Sequence, residues 1–334
     1  MQFLDKFLEN FFKSEGDRKK LISTVIPSFA IQSTALLLGL ATNFILARGL
    51  GASKYGVFTF AFSVVFPLVN LVSFGLGVLM VREMPHILTK DSPGLLKGIH
   101  QWSVKLAIPM CIALALLIAT VVYFLPHTNY TTPILIASAV IPFYGLMNYY
   151  TASLKGLHKI VLSQISDNLI RPGVFLIIIA WLYLFTGNFD VYSAIFVNVI
   201  AFAAGLAYAS IMFYKSADLK GIEPEYDKKK WWKGLGSLSL LNGILSLDAR
   251  LDLLLLGLIK TSTQVGIFNI SHKIALTLYF FLAVMNTIIA PSISRMNSLN
   301  DKEGLQKMIT KTIKWVMVFS IPAAILIIVF SKWI

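Results

Sequence analysis

Residues 108–125, IPMCIALALLIATVVYFL, run for 18 positions without a charged side chain. A helix of that length rises about 27 Å, close to the ~30 Å hydrocarbon thickness of a bilayer. The run does not alternate apolar and polar residues as membrane-barrel strands do, and Val174 to Phe185 is continuous in the same way. In lipid a segment must satisfy its own backbone N–H and C=O groups, so these runs read as helices. The rest of the chain repeats the pattern: 57% of its 334 residues are hydrophobic, 13% are charged, and the mean hydropathy is +0.75. Soluble proteins carry about 25% charged residues, so the composition excludes an ordinary soluble domain. The fold class is an all-α, polytopic transmembrane helix bundle.

Apolar segments near 21–47, 56–81, 102–125, 133–153, 168–186, 191–214, 235–259, 264–291 and 313–331 predict nine spans. Of the 29 Lys and Arg residues, 21 fall on the side of the N-terminus, four on the other side and four within or at the edge of spans. Short basic loops stay in the cytoplasm, which predicts a cytoplasmic N-terminus in a bacterial inner membrane. This topology accounts for the net charge of +13 without any nucleic-acid partner. Lys228, Lys229 and Lys230 beside Trp231 and Trp232 read as a contact with membrane-lipid head groups. Cys111 lies inside a span and reads as packing. His86, His100, His127 and His158 read as loop residues, no metal-ligand spacing occurs, and no cofactor is expected.

Residues 1–20 place Phe3, Leu4, Phe7, Leu8, Phe11 and Phe12 at helical spacing, as in an interfacial amphipathic helix. No cleavable signal peptide is expected ahead of the first span, whose apolar run continues past signal-peptide length. Tyr55-Gly56-Val57-Phe58 opens the second span and Val265-Gly266-Ile267-Phe268 the eighth, 210 residues later. Six spans lie between them, and an even number restores orientation, so the halves read as parallel repeats. The chain then divides into a first six-helix half at 21–214, a basic cytoplasmic linker at 215–233, and an incomplete second half at 234–334 with about three spans.

An ionisable side chain within hydrocarbon costs about 2.5–3.5 kcal/mol on insertion scales, so each one calls for a reason. Asp248, Arg250 and Asp252 cluster in the seventh span. The two acids share a helix face, and Arg250 points about 200° away from it. Arg250 and Lys273 each lie roughly 14 Å from the outer end of their spans, and Arg48 is nearer the outer mouth. Three such cations suit an anion such as a pyrophosphate, to which an arginine offers a planar fork. Two other readings stay open: Asp248 or Asp252 neutralises Arg250 or Lys273 across a helix interface, or couples an ion; Arg48 snorkels to head groups. Lys105 and Arg171, near cytoplasmic span ends, also read as snorkelling residues.

Ala47-Arg48-Gly49-Leu50-Gly51 with Tyr55-Gly56, Arg250-x-Asp252 with Leu256-Gly257, Val265-Gly266-Ile267-Phe268 with Lys273, and Pro291-Ser292-Ile293-Ser294 together resemble the polysaccharide-export and O-antigen (Wzx-type) flippases. These belong to the multidrug/oligosaccharidyl-lipid/polysaccharide exporter superfamily. The resemblance runs from about residue 20 to the end. It implies two six-helix bundles around a central cavity. It also implies an alternating-access transporter, not an enzyme, that flips undecaprenyl-pyrophosphate-linked oligosaccharide between leaflets for surface polysaccharide synthesis. By position, Arg48, Arg250 and Lys273 would hold the anionic carrier, with polysaccharide assembly proteins as further partners. Members carry more spans than the nine counted here, so a truncated reading frame is expected. The alternatives are a cation-coupled drug or metabolite exporter, a membrane polysaccharide polymerase or ligase, and a non-transporting remnant. The outer loops are only a few residues long, as at Gly187 to Asp190, and bring no acid, base or nucleophile set for the polymerase chemistry.

Overall fold

A computed structural model describes residues 15–124, 126, 128–186, 189–235, 250–298 and 302–329. Every regular element among them is helical. Helix α1 (Glu15–Thr89) holds both of the first two expected spans and is broken at Gly51, whose φ of 72° and ψ of 165° leave helical geometry. That backbone region is open essentially to glycine alone, so the Gly in the A-R-G-L-G motif makes the turn between spans. Then follow α2 (Pro93–Phe124), α3 (Thr131–Ser138), α4 (Val140–Gly156), α5 (Ile160–Phe185) and α6 (Val191–Ala217). Beyond the linker lie α7 (Leu251–Ile259), α8 (Ser262–Ser298) and α9 (Lys302–Val329). Among the described residues five helices are long and apolar enough to cross a membrane, and α3 with α4, bent by 42°, makes a sixth. Pro142 explains that bend: it lacks the N–H that would bond back to Ser138, and its ring crowds that carbonyl. The amphipathic segment expected at 1–20 and the stretch 236–249, with Asp248, fall largely or wholly outside the described residues.

The chain divides into two compact units, residues 33–269 and residues 1–32 with 270–334. In the first, α4 packs chiefly against α6, which α5 also covers, and α2 packs on α3 and α4. Leu116, Leu117, Phe124, Ile177, Leu184 and Phe196 stay at least 60% exposed. Exposed apolar residues on this scale require a lipid neighbour. One core cluster lies at the basic-loop end, where Met80, Met84, Ile99, Trp102, Tyr149 and Phe213 pack together.

Within this unit the two copies of the repeat pack on each other reciprocally. Gly56 sits against the carbonyl of Ser262 and Gly266 against the carbonyl of Ala52, with no room for a Cβ at either. Each partner pair swaps positions 210 apart in sequence, so the contact has a local two-fold character. Around it the Ser53 and Ser262 hydroxyls are 3.0 Å apart, and the Asn269 amide donates to the buried Tyr55 hydroxyl at 2.8 Å and to Thr59 at 3.2 Å.

The linker is fastened along α2 instead of hanging free. The Glu225 backbone occupies the space a side chain at Gly98 would need, and its N–H donates to the Gly94 carbonyl at 2.9 Å. Lys97 donates to the Ile222 carbonyl at 2.7 Å and Tyr226 to Gln101 at 2.8 Å. Trp231, expected at the head groups, is instead 2% exposed and packs on Trp102 at 5.4 Å between centroids. Of the lysines expected beside it, Lys228 lies over the Tyr226 ring at 5.4 Å. Lys230 binds one oxygen of Glu83 at 2.6 Å while Arg82 takes the other at 3.0 Å.

Burial pushes the Glu83 carboxyl up, but the hydrogen bonds and charges of Lys230 and Arg82 together outweigh it and hold it below the ordinary carboxylate range. A depressed folded pKa stabilises above the unfolded value of about 4.3 and is lost as pH falls through the folded value. Glu83→Gln should therefore cost about 1–2 kcal/mol at neutral pH, the charged hydrogen bonds being discounted for the half-exposed lysine. Limited trypsin digestion at Lys228–Lys230 checks this: the variant is cut faster at pH 7. In hydrogen exchange of the linker, wild type and variant converge toward pH 3. Equal cleavage at pH 7 would show that the pair does not hold the linker.

Candidate functional site

The polar site in the unit 33–269 is built on three rings. Phe66 of α1, Tyr144 of α4 and Phe202 of α6 form a triangle with centroids 5.0–5.8 Å apart. Their edge-on contacts are favourable for aromatic quadrupoles. Asn70, one turn along α1 from Phe66, accepts hydrogen bonds from the Tyr144 hydroxyl at 3.2 Å and the Asn148 amide at 3.4 Å. These bonds satisfy polar groups that would otherwise be costly at this depth.

Two arginines stack on the triangle. The Arg250 guanidinium lies 5.2 Å from the centroid of Phe66, and that of Arg171 lies 5.0 Å from Phe202. A desolvated cation–π contact contributes about 2 kcal/mol, which offsets much of the cost of placing a cation there. Arg250 stands just ahead of α7, its carbonyl accepting from Leu254 at 3.1 Å. Among the described residues, the charged groups that act on it are Asp252 and Arg171. Asp252, in the first turn of α7, receives its neighbour's backbone N–H, that of Leu253, at 2.7 Å. This suits an acid at the positive end of a helix dipole.

Arg171 is positioned by an irregular turn. Ser166–Ile170 is a π-helical turn inside α5, a feature that concentrates at functional sites. Its Ser166 hydroxyl donates to the Gly205 carbonyl of α6 at 2.8 Å. Pro172 lacks the N–H that a regular α-helix would bond to Asn168, so widening the turn there sacrifices little. Asp167 lies 3.5 Å from Arg171 Nε. Read from sequence as a snorkelling residue, Arg171 joins Arg250 at the same ring cluster. The usable signal was Pro172 directly after an arginine inside an apolar run.

The remaining predicted residues lie elsewhere. Arg48 is exposed and stacks 5.6 Å over the exposed Phe44. Lys273 belongs to the other compact unit, where it is half-buried. Asp248 is outside the described residues. His100, read as a loop residue, is buried inside α2, bonded at 2.8 Å to Tyr149 and at 3.2 Å to Tyr214. A guanidinium carries its N–H groups in one plane, a fork that suits a phosphate or carboxylate.

Fold and site together define a polytopic helical membrane protein with cations held on an aromatic cluster. A solved structure described as the inward-facing conformation of a multidrug resistance MATE family transporter of the MOP superfamily matches with a TM-score of 0.73 and 13% identity, covering 92% of this chain and 74% of that one. Residues 22–297 match the family model "Polysaccharide biosynthesis protein", and the chain belongs to that family. No curated protein matches the sequence. The expected Wzx-type family, the all-helical transporter fold and the multi-pass membrane character are thereby borne out.

Proposed function

We propose that the chain flips undecaprenyl-pyrophosphate-linked oligosaccharide from the cytoplasmic to the outer leaflet of a bacterial inner membrane, for O-antigen, capsule or exopolysaccharide synthesis. The observation that carries this reading is the arginine pair on one aromatic triangle in a polysaccharide-biosynthesis transporter. The guanidinium edges bind the pyrophosphate, and the rings offer stacking faces to sugars or the isoprenoid stem. Arg48, near the outer mouth, and Lys273, in the other unit, hold the carrier at other stages of its passage. The N-terminus is cytoplasmic, and the two repeat-bearing halves alternate access to the two sides.

Deleting the gene tests the proposal. Loss of surface polysaccharide, restored by the wild-type copy, supports the reading. Intact polysaccharide with new drug sensitivity would replace it with a cation-coupled exporter, in which Asp248 or Asp252 carries the coupling ion.

A further inference from the structure

At the basic-loop end of the unit 33–269 lies a groove of about 450 Å³ between α2, α6 and the fastened linker. We infer that this groove binds the phosphate-bearing head group of an anionic membrane lipid, a site separate from the arginine pair and independent of what the protein transports. Lys97, Lys105 and Lys220 line it, and among the described residues no carboxylate does. Lys97, Gln101 and Lys105 follow one face of α2 at intervals of four, climbing about 12 Å from the first to the last. The lysines therefore span the depth of a head-group layer instead of meeting at one surface point.

The groove is built, because its walls are tied. Lys97 commits one N–H to the Ile222 carbonyl, leaving two further donors on its ammonium. Gln101 accepts from Tyr226 on its carbonyl side, so its NH₂ remains the donating end. The Tyr214 hydroxyl is held between the buried His100 at 3.2 Å and Tyr150 at 3.4 Å. Val104 and Leu219 complete the lining with an apolar wall. A lipid's glycerol and upper acyl chain would cover that wall, whereas a free phosphate makes no use of it. Basic pockets between helices on the cytoplasmic side suit such head groups, and the basic loops place this end there.

The test uses the purified full-length chain in neutral detergent, titrated with phosphatidylglycerol and read by native mass spectrometry. Lys105 and Lys220 are exposed, so K105Q/K220Q removes two charges while leaving the Lys97 anchor in place. Its tightest phosphatidylglycerol site should weaken roughly thirtyfold. The double variant K155Q/K159Q, which removes equal charge at the junction of α4 and α5, outside the groove, should stay within about threefold of wild type. Phosphatidylcholine should not compete. Unchanged binding in K105Q/K220Q, or equal loss in both variants, overturns the site. Displacement of phosphatidylglycerol by millimolar inorganic phosphate overturns the lipid as its occupant.

Discussion

A strain whose only copy carries Arg250→Ala is expected to make almost no surface polysaccharide while holding the protein in its membrane at the wild-type level. Truncating one partner of a hydrogen-bonded charge pair costs about 2–5 kcal/mol, or roughly 30- to 5,000-fold in binding of the anionic carrier. Arg250→Lys keeps the charge and loses the planar fork and part of the stacking on Phe66, so it should restore polysaccharide only partly. Arg171→Ala should fall between the two, because Arg171 shares the ring cluster but its side chain is already 32% exposed beside Asp167. Immunoblots of membrane fractions together with quantified surface glycan separate loss of transport from loss of protein. Full polysaccharide with Arg250→Ala would remove the guanidinium from the carrier site and leave it as a packing residue on Phe66.

Of this site, Arg250 and its neighbour Asp252 are legible in sequence, because a charge inside an apolar run is conspicuous. Arg171 is not, because hydropathy reports where lipid contact ends and says nothing of where a helix ends or which way it faces. The helix carrying Arg171 begins at Ile160, well before the apolar run, and an extra residue in its π-helical turn changes the face on which the arginine projects. The same gap explains His100: the stretch between the second and third apolar runs reads as loop on hydropathy, yet α1 continues to Thr89 and α2 starts at Pro93. The breaks at Gly51 and near Pro142 follow from backbone constraints that act locally. The linker's attachment to α2 does not, since it depends on Gly94 and Gly98 leaving space for residues more than a hundred positions away. Those glycines lie in a helix that any small residue would have fitted equally well on hydropathy alone.

The reciprocal glycine contact yields the second large effect. Gly56 on Ser262 and Gly266 on Ala52 bring the openings of the second and eighth spans together with no side chain between them, and with the proposed cytoplasmic N-terminus this contact faces the outer side. If the halves alternate access, the contact must part whenever the outer mouth opens. Packed interfaces of this kind have two discrete arrangements and do not deform continuously. The Ser53 and Ser262 hydroxyls, 3.0 Å apart, provide a place to fix it. The double variant S53C/S262C, in a Cys111→Ala background, should cross-link under mild oxidant and stop export of polysaccharide almost completely. Reductant should restore it, and each single cysteine should remain active in both conditions. A shift in gel mobility after cleavage between residues 53 and 262 measures the cross-linked fraction, which should match the fraction of activity lost. Undiminished export from fully cross-linked protein would mean that this contact stays shut throughout the cycle. The moving surfaces would then have to be sought elsewhere in the chain, and the two-fold contact would be a fixed pivot about which the halves turn.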